Sequence, residues 1–202
     1  MHIRGMWELI EEWMGQNSIS NEFLLAGPAS EEDLKTAEAA LGLRLPADVR
    51  SSYRMHDGSN RVWISEHGYL MPLLIPALLP RRKQALFNAI VKRWTLLREL
   101  LDRGSFDGSG FESRPDGPIR TAHWNVNWIP ITYNECGDHL CIDMAPAKGG
   151  KRGQIIEWDH EVGAKRVIAT SFSRWLKEIA DGMQGGKYRF DARTGGLKLA
   201  FK

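Results

Sequence analysis

Cysteine is scarce in this sequence. Only Cys136 and Cys141 occur among 202 residues, which is too few for the disulfide framework of a small secreted domain. A structural zinc site usually takes four ligands from two closely spaced pairs, and no second cysteine pair is present. The cysteine content therefore predicts a protein of a reducing compartment, with neither a disulfide nor a zinc scaffold.

Long apolar runs are missing as well. The N-terminal stretch MHIRGMWELIEEWMGQ carries charged side chains throughout, whereas a signal peptide or a membrane span needs an uninterrupted apolar segment. We therefore expect a cytoplasmic protein that has no membrane partner.

The sequence also lacks a strong excess of charge of one sign. The 27 Lys and Arg residues against 25 Asp and Glu residues give a net charge of +2. The basic run Arg81-Arg82-Lys83 is short and is typical of a solvated surface, whereas nucleic-acid-binding domains usually carry a clustered basic stripe. This balance predicts no direct binding of nucleic acid.

The short motifs that mark common enzyme classes do not occur. There is no G-x-S-x-G elbow, no H-E-x-x-H helix, no phosphate loop and no dinucleotide fingerprint. The stretch Gly149–Gly153 is rich in Gly and basic, but its spacing predicts a hairpin loop instead of a phosphate site. We expect a protein that is not an enzyme and needs no cofactor.

What is present is the composition of one globular domain, with 43% hydrophobic and 26% charged residues. Apolar spacing and capping residues predict five helices. They cover Met6–Met14, Ser30–Gly42, a segment that begins at Pro46, Pro80–Asp102 and Ser171–Gly182. The first helix carries two of the eight Trp residues, and we expect it to pack on the core, with a docking helix for a partner as the alternative.

Alternation of apolar and polar residues predicts the strands. The segments are Arg61–Ile64, Tyr69–Leu74, Thr121–Trp128, Ile129–Thr132, His139–Asp143, Gln154–Trp158, Lys165–Thr170 and a C-terminal hairpin at about 187–202. The stretch Trp128–His160 reads as an antiparallel meander, and Arg103–Pro118 predicts a long flexible loop. The expected fold is α+β: a single domain over 1–202 with a mixed, mostly antiparallel sheet of about six strands covered by helices.

Several blocks in the expected order resemble the Smi/Knr-type proteins of the SUKH superfamily. The central block reads W-I-P-I, then G-D-x-L-C-x-D, then G-Q-I-I-x-W-x-H. Upstream, Ala29–Gly58 contains a Glu-rich helix, an L-G-x-x-L-P turn and H-D-G; downstream, Ser171–Leu176 matches S-F-x-x-W-L. The similarity spans roughly residues 5 to 182 and implies the fold of that family.

The resemblance also implies a binding protein. Bacterial members are similar to immunity proteins that neutralise polymorphic or contact-dependent toxins, and fungal members look like regulators of cell-wall assembly that act as interaction hubs. Fungal members usually have long disordered flanks, which are not seen in this chain, so we expect an immunity protein whose partner is a toxin domain. The positions matched to the family's blocks predict a partner-binding face of Asp57, Asp138, Asp143, Trp158 and His160.

Two alternatives stay open at this point. One is an intracellular regulator of cell-wall assembly. The other is a metal-dependent enzyme or small-ligand binder, because carboxylates and imidazoles are suitable ligands for a divalent metal. The residues of that cluster would be Asp138, His139, Asp143, Asp159 and His160.

Overall fold

The computed structural model describes residues 2–19, 25–58, 77–78, 89–107, 113–133, 136–191 and 196–200. The predicted strands Arg61–Ile64 and Tyr69–Leu74 lie outside these ranges, as do the basic run Arg81-Arg82-Lys83 and the predicted start of the fourth helix. The described ranges hold five helices and six strands.

A helix is found in each of the five predicted segments, and in the described ranges the fourth begins at Ile90. The helices are α1 (Ile3–Gln16), α2 (Glu31–Leu41), α3 (Ala47–Tyr53), α4 (Ile90–Asp102) and α5 (Phe172–Gln184). Ser30 and Asp33 form a reciprocal capping box at the start of α2, and Gly42 ends that helix with a φ of 65°. This is the conformation that glycine adopts without the steric cost of a Cβ atom.

Two further helix starts refine the prediction. The Ser171 side chain accepts a hydrogen bond from the Arg174 backbone N–H, so it caps α5 as expected. Pro46, which the sequence predicted as the first residue of α3, is its N-cap, and the helix begins one position later at Ala47. Pro46 leaves no backbone donor unpaired there, because proline has no N–H group.

The central sheet has the order β1-β2-β3-β4, and every neighbouring pair is antiparallel. Its strands are β1 (Trp128–Pro130), β2 (His139–Asp143), β3 (Gln154–Asp159) and β4 (Gly163–Ala169). The α+β class and the meander of β1 to β3 are confirmed. The end of the predicted loop Arg103–Pro118 runs along the outer edge of β4, where Asp116 forms a parallel bridge with Arg166.

The central sheet has four described strands where the sequence predicted about six, and the predicted C-terminal hairpin is separate from it. β5 (Tyr188–Asp191) and β6 (Gly196–Leu199) pair with each other as a separate antiparallel hairpin. The reason is topological: α5 separates β4 from β5 in the chain, and β5 packs on that helix.

The predicted strand Thr121–Trp128 is wrong except for its last residue. The Asn125 side chain accepts a hydrogen bond from the Asn127 backbone N–H, and the Trp128 N–H donates to the Asn125 carbonyl. Asn side chains form such local turns readily. The alternation in this stretch reflects Trp124 and Trp128, whose buried rings meet edge to face at 5.9 Å, and not an extended backbone.

The N-terminal helix packs on the core, and Trp7 and Trp13 are both buried in it. The Trp7 indole N–H donates to the Ser52 hydroxyl at 2.9 Å, which ties α1 to α3. α1 also packs along α5, which in turn contacts β3 and β4. Among the described helices, none is both long and apolar enough to cross a bilayer.

Candidate functional site

The exposed end of the β2–β3 hairpin brings together two of the predicted partner-binding residues. The Asp138 Oδ1 accepts a hydrogen bond from the His160 backbone N–H at 3.1 Å and lies 2.8 Å from the His160 Nδ1. Gly137 has a φ of 106°, and a Cβ atom there would meet the imidazole at 3.3 Å, so glycine allows this close approach. The hydrogen bond that His160 donates to Asp138 raises the pKa of His160, because it favours the charged imidazolium.

Asp159 completes a small cluster with this pair. One ligand-capable atom from each of Asp138, Asp159 and His160 lies within 4.8 Å of the others. The Asp159 Oδ1 also accepts the backbone N–H groups of Glu161 and Val162, at 2.8 and 3.2 Å, which shapes the turn between β3 and β4. Two carboxylates and one imidazole are donors that divalent metals accept. The Lys165 ammonium lies 3.7 Å from Asp159 and neutralises part of this negative charge.

An ionic network continues from this cluster across β3 and β4. The Glu157 carboxylate accepts from the Lys165 ammonium at 3.0 Å and from the Arg166 Nε at 2.8 Å. Val162, in the turn between β3 and β4, is 48% exposed. We call this surface the hairpin face, and it consists of Asp138, Glu157, Asp159, His160, Lys165 and Arg166.

Asp143 is not part of that face. It is fully buried at the far end of β2, where its Oδ1 accepts the Ala145 backbone N–H at 3.0 Å. Its Oδ2 accepts the Gln154 side-chain amide at 3.0 Å. Burial raises the pKa of Asp143, and these hydrogen bonds oppose that rise. The prediction of Asp143 as a partner-binding residue is wrong for this conformation, because its oxygens serve the turn that follows β2.

Trp158 is also buried, with only 1% of its surface exposed. Its indole N–H donates to the His123 carbonyl at 2.6 Å, and its ring packs edge to face against Trp124 at 5.2 Å. On β2, His139 stacks on it at 5.5 Å. The pattern G-Q-I-I-x-W-x-H therefore contributes a core residue at its Trp position and a surface residue at its His position.

Asp57, the third predicted partner-binding residue that is buried, is 5% exposed. Its Oδ1 accepts the Leu78 backbone N–H at 2.9 Å, and its own N–H donates to the Gly27 carbonyl at 2.8 Å. It joins two loops inside the protein and is not accessible to a partner. The chain bends at Asp57, and Gly58 has a φ of 81°, the left-handed conformation that the pair Asp57-Gly58 predicts.

Burial also removes residues from the metal cluster that the sequence suggested. His139 is buried, and its Nδ1 contacts the Thr132 carbonyl at 2.5 Å. Burial lowers the pKa of His139 to about 4. Of the five residues of that hypothesis, only Asp138, Asp159 and His160 come together, so its ligand set is three residues on the surface.

Sequence reasoning missed the basic half of the hairpin face. Lys165 and Arg166 are unremarkable in the sequence, but Arg166 is the cross-strand partner of Glu157. Opposite charges facing each other across a predicted hairpin would have been the available signal. The register shift between Glu157 and Trp158 makes Arg166 the direct partner in place of Lys165, but a simple count of residues from the turn already puts a cation opposite Glu157.

Comparison with known proteins identifies relatives over most of the chain. The sequence model of the SMI1 / KNR4 family (SUKH-1) matches residues 28–178. The "Cell wall biosynthesis/cell cycle regulator smi1" of Schizosaccharomyces pombe is 26% identical over 198 residues, covering 96% of this chain and 39% of that protein. The "Glucan synthesis regulatory protein" of Neurospora crassa is 26% identical over 226 residues, covering 98% of this chain and 41% of that protein.

A third relative is the "Cell wall assembly regulator SMI1" of Saccharomyces cerevisiae, which is 22% identical over 204 residues, covering 90% of this chain and 40% of that protein. The chain thus spans well under half the length of these relatives. The family match covers the central meander and both flanking motif blocks, and it confirms the resemblance that those motifs carry. The chain belongs to the SMI1/KNR4 (SUKH-1) family.

Proposed function

We propose that this protein is a protein-binding module that takes part in the regulation of cell-wall assembly, acts in the cytoplasm and catalyses no reaction. The family match over residues 28–178, together with relatives that are named cell-wall regulators, carries this proposal. It is the alternative raised by the sequence. The relatives' names favour it over a toxin-neutralising immunity protein, which stays a prediction.

The hairpin face is the surface that we assign to the partner. Its charged groups are accessible, and they are held by hydrogen bonds on two strands of the central sheet. A fixed array of positive and negative charges mainly orients the partner and makes binding selective, and it contributes less to affinity. The exposed Val162 in the turn between β3 and β4 adds an apolar contact beside the charges. Asp138 and His160 are retained from the predicted face, while Glu157, Asp159, Lys165 and Arg166 replace the buried residues.

Depletion of the protein in its source cells tests the cellular role. Regulation of wall assembly predicts a changed content of wall polysaccharide and a changed resistance to wall-degrading enzymes. An unchanged wall, combined with killing of depleted cells by neighbouring wild-type cells, would contradict this role and support the immunity protein.

Capture of partners with two matched double variants tests the hairpin face. Asp138→Asn with His160→Ala removes the pair at 2.8 Å, and Arg174→Ala with Glu178→Ala removes an exposed ion pair at 2.9 Å on α5. Both pairs are on the surface, so both variants should unfold at the wild-type urea concentration. We expect the first variant to lose a stoichiometric partner that the second retains.

Metal content measured on the same samples tests the enzyme hypothesis. A divalent ion bound at one equivalent by the wild type and lost in an Asp159→Asn variant would favour a metal-dependent activity and contradict a purely protein-binding role.

A further inference from the structure

A second charged surface lies at the opposite end of the β2–β3 hairpin from the hairpin face. It is the turn after Asp143, together with the segment that precedes β1. Because β2 and β3 are antiparallel, this turn is about 17 Å, the length of a five-residue strand, from the pair Asp138–His160. Its exposed basic residues form what we call the cationic patch: Arg120, Lys148, Lys151 and Arg152.

Two guanidinium groups of the cationic patch are fixed in position. The Arg120 Nε donates to the Ala145 carbonyl at 2.7 Å, and the Arg152 Nε donates to the Met144 carbonyl at 3.3 Å. Two arginines that are distant in the chain are therefore anchored to consecutive peptide groups. Each anchor uses the Nε, which leaves the terminal nitrogens of both guanidinium groups for another acceptor.

Neither of these guanidinium groups forms an ion pair with a carboxylate in the part of the chain that the structure describes. Asp143 attracts Arg120, but its oxygens already accept the Ala145 N–H and the Gln154 amide. On the neighbouring segment, Asp116 contributes one exposed carboxylate. The patch therefore has an excess of positive charge on a protein whose net charge is only +2.

A buried polar network holds the turn rigidly against the segment of Arg120. The Gln154 amide donates to the Pro118 carbonyl at 3.1 Å, and the Ala147 N–H donates to the same carbonyl at 3.1 Å. At Gly150, a Cβ atom would meet the Pro118 carbonyl oxygen at 2.7 Å, which shows how closely the turn is packed. Arginine forks that are fixed before binding lose less conformational entropy when a ligand arrives.

We propose that the cationic patch binds an acidic segment of a protein partner through its Asp and Glu carboxylates. The planar fork of a guanidinium group matches a carboxylate in two parallel hydrogen bonds. Two such forks are anchored here to one turn, with two lysines to add long-range attraction. The proposal rests on the proposed protein-binding function and specifies the chemistry of the partner. Four cations in a compact patch fit a short peptide better than the extended basic stripe of a nucleic-acid-binding surface.

Fluorescence anisotropy with the full chain and synthetic peptides tests the patch. The probe is a labelled twelve-residue peptide rich in Asp and Glu, and its matched control carries Asn and Gln at those positions. We expect the acidic peptide alone to bind, and more tightly at 50 mM than at 150 mM NaCl, because salt screens exposed charges. Arg120→Gln with Arg152→Gln should weaken binding about tenfold or more, since two charge-assisted contacts are lost.

Two control variants test whether the position and the planar fork of the arginines matter beyond their charge. Arg98→Gln with Arg103→Gln removes two exposed arginines of the α4 region and should leave peptide binding unchanged. Arg120→Lys with Arg152→Lys keeps the charge but removes the forks, and we expect it to bind more weakly than the wild type. Equal weakening by the α4 variant, no binding by the wild type, or equally tight binding of a single-stranded RNA of the same charge would overturn the proposal.

Partner capture from source cells separates this proposal from the proposed function. A partner retained by the Arg120→Gln, Arg152→Gln variant would leave the protein-binding role standing and overturn the patch. Specific binding of the acidic peptide without any captured partner would support the patch and argue against the proposed function.

Discussion

His139 and His160 show how different the pKa values of two histidines can be within one hairpin. Burial lowers the pKa of His139 to about 4, whereas the hydrogen bond that His160 donates to Asp138 raises the pKa of His160. The first is therefore a neutral core side chain at physiological pH, and the second readily carries a positive charge on the hairpin face. Their chemistry follows from solvent access and neighbours, not from the residue type.

The low pKa of His139 predicts a loss of stability in acid. The unfolded chain binds a proton at this site below its ordinary pKa of 6.5, while the folded chain binds it only below about 4. The stabilisation is thus complete above pH 6.5 and is lost as the pH falls through 4. At about 1.4 kcal/mol per pH unit, the loss approaches ~3 kcal/mol. Urea unfolding of the wild type and of His139→Gln, from pH 7 to 4, measures it as a difference.

The matched control for that measurement is His160→Gln. A raised pKa gives a contribution that is present below 6.5 and lost as the pH rises through the folded value, so this variant should keep the acid sensitivity of the wild type. The same pH dependence in the wild type and in His139→Gln would contradict the assignment of the acid loss to His139.

At the scale of secondary structure, the turns depend on glycines in two different ways. Gly163 begins β4 with a φ of 82°, and a Cβ atom there would meet the His123 Cα at 3.0 Å and the Ala122 carbonyl at 3.1 Å. Gly186 follows α5 with a φ of 71°, and nothing lies within 4 Å of its Cβ position. Both need a left-handed backbone, but only Gly163 is also crowded by another part of the main chain.

We therefore expect Gly163→Ala to destabilise the protein more than Gly186→Ala. The left-handed backbone alone costs on the order of 1–3 kcal/mol for a residue with a side chain. Overpacking against His123 and Ala122 adds roughly 1–3 kcal/mol, because backbone atoms must move. Thermal unfolding of the two variants gives the comparison, and equal destabilisation would show that crowding at β4 is relieved at no cost.

The elements themselves were largely predictable. Local rules were sufficient to place β2 and β3, although their burial does not alternate along the strand. They were also sufficient for α2 and α5, which begin at capping serines. The same rules failed at Thr121–Trp128, because alternation also results when large rings enter the core from an irregular segment. The C-terminal hairpin was predicted from its local pattern, but its packing on α5 is a tertiary contact that no local pattern contains.

At the scale of the whole molecule, α1 belongs to the core although the family match begins at residue 28. Its buried residues are Ile3, Met6, Trp7, Ile10, Trp13 and Met14. The helix is tied to the far end of the chain as well, because the Gln184 amide donates to the Leu9 carbonyl at 2.9 Å. Removing α1 would thus expose apolar surface on α5 and leave Ser52 without its Trp7 partner.

Deletion of residues 1–17 should consequently abolish cooperative folding. Each large buried side chain contributes about 1.5–3 kcal/mol, and six of them approach the whole stability of a typical domain, about 5–15 kcal/mol. Near-ultraviolet circular dichroism and size-exclusion chromatography measure the outcome. A truncated chain that unfolds at the wild-type urea concentration would show that residues 18–202 fold without the helix.

Periodicity, capping residues and ordered motifs along the chain were enough to predict the α+β class, the places of the helices and of the central strands, and the family. The accessibility of the candidate residues, in contrast, depends on how the chain folds on itself. Asp143 meets Gln154, Trp158 meets His123 and Asp57 meets Leu78, and these partners are up to 35 positions away in the chain. Burial is set by such distant contacts, so identical residue types became core at one end of a strand and surface at the other.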